Sequence, residues 1–65
     1  MKNSEDTKYI IEFLSLGGSV KVSAIDQASG TEVSIIGPPK ATQKELSDLA
    51  IKKLQYVLNK NKKNQ

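Results

Sequence analysis

The sequence contains no cysteine and no histidine. Disulfides are thereby excluded, as are the zinc spacings built from those two residue types. The commonest general base and the best nucleophile are missing with them, so enzyme chemistry has few candidates. Arginine is absent as well, and all ten cations are lysine. Because arginine reads guanine and grips phosphate bidentately, base-specific nucleic-acid recognition is disfavoured. Aromatic residues are scarce: Tyr9, Phe13 and Tyr56 are too few for a base-stacking platform. No apolar run approaches the ~20 residues that span a bilayer, so no membrane association is expected. Residues 1–7 are polar and acidic where a signal peptide needs an apolar stretch, and a cytoplasmic protein is the expectation.

What is present is short and lysine-rich. Sixty-five residues allow one small domain. A chain of this size buries only about 60% of its unfolded surface, and such domains commonly lean on disulfides, a metal or a partner subunit. Association is the staple left. The net charge is +3, but it is unevenly spread. Residues 1–42 hold four lysines against five carboxylates, whereas residues 43–65 hold six lysines against two. Positive charge is therefore a property of the C-terminal segment.

The apolar pattern predicts an α+β fold, a three-stranded antiparallel meander followed by one helix. Residues 8–16 form a first strand, and Gly17-Gly18 marks a two-residue hairpin with positive φ angles. A tight turn there sets Phe13 opposite Val22, Ile11 opposite Ala24 and Tyr9 opposite Asp26. Tyr9, Ile11, Phe13, Val20, Val22 and Ala24 then share one face, as a core requires. A second turn over residues 26–31, with Asp first and Gly near its end, pairs Ala24 with Val33 and Val22 with Ile35. Both pairs fall on the same face. Gly37-Pro38-Pro39 ends the sheet, because proline cannot donate to a ladder. Thr42-Gln43-Lys44-Glu45 reads as a capping box. Leu46, Leu49, Ala50, Leu54, Val57 and Leu58 recur at helical spacing behind it, predicting a helix over 43–59 with an Asp48–Lys52 pair. The organisation expected is a disordered tail over 1–7, a single β-β-β-α domain over 8–59 and a disordered basic tail over 60–65.

The runs Gly18-Ser19-Val20-Lys21-Val22-Ser23-Ala24-Ile25-Asp26, Gly30-Thr31-Glu32-Val33, Gly37-Pro38 and Leu49-Ala50-Ile51-Lys52-Lys53-Leu54-Gln55-Tyr56-Val57-Leu58 resemble a family of short alphaproteobacterial proteins classed as a domain of unknown function. The resemblance spans roughly Tyr9 to Leu58. It implies a small cytoplasmic domain and brings no activity or site with it.

No catalytic, cofactor or metal site is expected. Asp26, Glu45 and Asp48 are placed by a turn, a cap and a helix pair. Gly17-Gly18 lacks the G-x-G-x-x-G spacing of a phosphate loop, and no helix follows it. Lys53 falls inside the apolar stripe, between the directions of Leu46 and Leu49. Its methylenes cover apolar surface while its ammonium reaches water, or it pairs with Glu12 or Asp26 at a subunit contact.

The surplus of apolar residues points to a partner. The helix carries them over an arc of roughly 220°, wider than the ~100° stripe one contact needs. Ile10, Leu14, Leu16, Ile25 and Ile36 lie on the sheet face turned away from the helix, and Ile51 and Leu58 lie on the helix flank. These seven are the candidate interface. The leading expectation is a non-catalytic module that forms a homodimer and binds a larger protein. The runner-up is weakly specific nucleic-acid binding, with Lys52, Lys60, Lys62 and Lys63 touching phosphate.

Overall fold

The computed structural model describes the backbone of residues 9–63 and the side chains of residues 9–61. Three strands, β1 (Tyr9–Ser15), β2 (Val20–Asp26) and β3 (Glu32–Gly37), precede one helix, α1 (Gln43–Lys63). The strands form one antiparallel sheet in the order β1-β2-β3. The tail expected over residues 1–7 lies outside the described residues.

Both registers follow from turn chemistry. Phe13 faces Val22, Ile11 faces Ala24 and Tyr9 faces Asp26. Across the second hairpin Ala24 faces Val33 and Val22 faces Ile35. The first turn closes through the Leu16 amide, which donates to the Ser19 carbonyl at 2.8 Å. One detail differs from expectation: Gly17 alone has a positive φ, 73°, and Gly18 does not. A positive φ at the first central position only is the type II′ pattern, whose twist suits a hairpin as well as type I′.

The second turn is braced by Asp26. Its carbonyl accepts from the Gly30 amide at 2.7 Å, and its amide donates to the Thr31 carbonyl at 2.8 Å. Its carboxylate accepts from the Ser29 amide at 3.1 Å and from the Ser29 hydroxyl at 2.6 Å. Gly30 supplies the left-handed residue, with φ 78°.

The helix starts at the capping box. The Glu45 amide donates to the Thr42 hydroxyl at 3.0 Å, and the Thr42 amide donates back to the Glu45 carboxylate at 3.0 Å. Replacing Thr42 with Ala is expected to cost about 1 kcal/mol. In a domain of this size that lowers the thermal midpoint by roughly 4–8 °C, readable by circular dichroism. An unchanged midpoint would mean the cap contributes nothing.

Two helix expectations are corrected. The helix continues to Lys63 rather than stopping near Asn59, so the basic residues from Lys60 onward have helical backbone. Lysines at a helix C-terminus complement the unsatisfied carbonyls and the macrodipole, which favours the extra turn. Asp48 accepts from Lys44 at 3.0 Å instead of from Lys52. Helical side chains lean toward the N-terminus, so the short Asp48 meets the residue one turn before it. Both partners are exposed, and the pair adds little stability.

Val22, Ala24, Leu46, Ala50 and Leu54 form the buried core, with Tyr9, Ile11, Val20, Val33, Ile35, Ala41 and Leu58 packed around it. The helix lies on β2 and β3 and leaves β1 largely clear. Gly37 is buried beneath Leu46, and a Cβ there would collide with the Leu46 Cδ2. This close approach seats the first helical turns against the end of β3.

Candidate interaction surface

Strand register places three rows of side chains on the sheet face away from the helix. They read Leu14–Lys21–Ile36, Glu12–Ser23–Ser34 and Ile10–Ile25–Glu32. Three apolar corners, Leu14, Ile36 and Ile10, and one charged corner, Glu32, thus flank a polar middle row. A shallow depression of about 530 Å³ opens along this surface, lined by Glu12, Leu14, Lys21, Ser23 and Glu32 together with Phe13, which belongs to the helix side of the same edge strand. It combines carboxylates, one ammonium and apolar side chains.

Four of the seven candidate interface residues are exposed: Ile10 41%, Leu14 55%, Leu16 46% and Ile36 60%. Ile25, Ile51 and Leu58 are only half-exposed, and Leu58 packs against the core. The wide helical arc therefore splits. Leu46, Ala50 and Leu54 are buried, while Leu49 and Tyr56 remain exposed on one flank.

Phe13 is the residue that strand patterning misplaces. It does lie on the helix side of the sheet, opposite Val22, yet it is 37% exposed and outside the core cluster. A helix about 10–12 Å across covers two strands spaced ~4.8 Å apart and their near flanks, not a whole three-stranded sheet. That width argument was the available signal. From Glu12 to Ser15 every residue of β1 is exposed.

The two sheet edges differ. Lys53, although exposed, donates its ammonium to the Ser34 carbonyl at 2.9 Å. Within the chain the ammonium thus takes a main-chain acceptor on the outer side of β3 rather than Glu12 or Asp26. Pro38 and Pro39 follow directly at the end of that strand. On β1, the Leu16–Ser19 bond marks the hydrogen-bonded positions of the hairpin. By alternation Ile10, Glu12 and Leu14 bond to β2, and Tyr9, Ile11, Phe13 and Ser15 direct their amides and carbonyls outward.

Of the basic candidates, Lys52 and Lys60 are exposed. Lys62 and Lys63 continue the helix. Among the described residues there is no group of three or more metal-ligating side chains, and no helix is long and apolar enough to cross a membrane.

Fold and surface together define a small α+β domain, one helix on a three-stranded sheet whose far face and β1 edge no other described residues cover. A family model described as a domain of unknown function, DUF6898, matches residues 6–62. The chain belongs to that family. No curated protein and no solved structure matches it.

Proposed function

We propose that this chain is a non-catalytic interaction module that associates with a second copy of itself and offers its remaining apolar surface to a larger protein. The setting adopted is the one the sequence resemblance implied, an alphaproteobacterial cytoplasm. The observation that supports this reading is the apolar surface around β1. Ile10, Leu14 and Leu16 on one side and Phe13 on the other are all exposed within a single strand and its turn. Monomers seldom leave such a patch in water unless it is used. A two-fold contact would cover it and stabilise a domain too small to be stable by a wide margin alone.

Sedimentation equilibrium across micromolar concentrations tests this. The wild-type mass is expected to approach twice 7.1 kDa, and Leu14→Lys is expected to weaken association at least tenfold with an unchanged circular dichroism spectrum. A mass near 7.1 kDa at every concentration overturns the reading. The competing function, weak nucleic-acid binding through Lys52 and the lysines from Lys60 onward, separates from it by salt. Polyanion affinity falls steeply with ionic strength, whereas an apolar contact persists or strengthens.

A further inference from the structure

We infer that the two copies meet edge to edge, β1 against β1 in antiparallel fashion, to make one continuous six-stranded sheet. This rests on the self-association proposed above and specifies its geometry. Exposed strand edges are a hazard that proteins blunt with lysines, prolines, bulges or a covering element. The β3 edge is treated in this way: Lys53 occupies the Ser34 carbonyl, and Pro38-Pro39 terminate the strand. The β1 edge is not. Its seven residues contain no proline and no lysine, Glu12 is their only charge, and among the described residues nothing pairs with its outer side, the helix leaving the strand largely clear. Tyr9, Ile11, Phe13 and Ser15 turn their main-chain donors and acceptors toward that edge.

A second copy is the occupant that closes this arrangement. Two-fold pairing satisfies both β1 edges at once and leaves the assembly only its two β3 edges, each already guarded by Lys53. A foreign strand would carry an open edge of its own. The side chains agree, since both faces of β1 become central: Phe13 and Ile11 on the helix side, Ile10 and Leu14 on the other. Charge selects the register. Outward groups occur at odd positions, so the two-fold axis falls on Ile11, Glu12 or Phe13. An axis on Glu12 would set two carboxylates directly opposite each other, which is destabilising. An axis on Ile11 or Phe13 sets an apolar residue against its own copy.

The absence of native cysteine makes the test clean. Ile11→Cys and Phe13→Cys are made singly, with Ile36→Cys, on the guarded strand, as control. Under mild oxidation at micromolar concentration one of the two β1 variants, the one on the axis, is expected to be cross-linked in more than half of its chains. Ile36→Cys is expected to remain uncross-linked. In parallel, Phe13→Pro removes an outward amide without touching the β1–β2 ladder and is expected to raise the dimer dissociation constant at least tenfold over Phe13→Leu. Should the proline variant fail to fold, the cysteine pair still decides. A wild-type dimer in which neither β1 cysteine cross-links, or in which only Ile36→Cys does, overturns edge pairing and leaves self-association standing. A wild-type monomer overturns both.

Discussion

Replacing Leu54 with Ala is expected to remove about 3–5 kcal/mol of stability, the cost of truncating a fully buried leucine whose site cannot collapse. Leu54 has no exposed surface and sits among Val22, Ala24, Leu46 and Ala50. Two of those neighbours are alanines, too short to reach into the space left behind. A chain of this length has a total stability of roughly 3–10 kcal/mol, so a large fraction of the variant is expected to be unfolded at 25 °C. Urea denaturation followed by circular dichroism reads this directly. Leu54→Met, which nearly conserves volume, is expected to lose less than about 1.5 kcal/mol. An alanine variant losing under ~1 kcal/mol, well below the usual range, would show that the helix does not seat on β2 and β3 as described.

The second large effect is expected at Gly37. Its φ is not in the left-handed region, so the need for glycine comes from contact alone. An added Cβ meets the Leu46 side chain, which is 3% exposed and has little freedom to retreat. Gly37→Ala is expected to cost about 1–3 kcal/mol, the usual range for overpacking. Made in a Leu46→Ala background, the same change is expected to cost at least about 1 kcal/mol less, because neighbours in contact do not add independently. Equal costs in the two backgrounds would mean that Leu46 does not close over Gly37.

Both hairpin registers were legible because strand side chains alternate strictly and each turn fixes a parity. Gly17-Gly18 and the Asp26–Thr31 turn independently selected the same inward face, and Val22, Ala24, Val33 and Ile35 lie there. The capping box was equally local, with donors and acceptors three residues apart. Where local alternatives lie close in energy, the reading went astray. Asp48 has a lysine one turn away on either side, and both glycines of the first turn tolerate either sign of φ. The apolar candidates were half legible. Ile10, Leu14, Leu16 and Ile36 are exposed as their parity implied, but Leu58 is drawn against the core.

The sequence by itself determined the elements, their order, the register of the sheet and which face each strand turns inward, since all of these depend on contacts within or between neighbouring segments. Where the helix rests on the sheet was decided only in the tertiary structure. Five residues, 38–42, connect β3 to α1, and Leu46 drops onto the bare backbone of Gly37. Together they hold the helix over β2 and β3. That lateral position strips cover from Phe13, brings Lys53 to the Ser34 carbonyl and, among the described residues, leaves one edge guarded and the other open. Periodicity along a chain records which way a side chain points; whether anything stands above it depends on the packing of two elements distant in sequence.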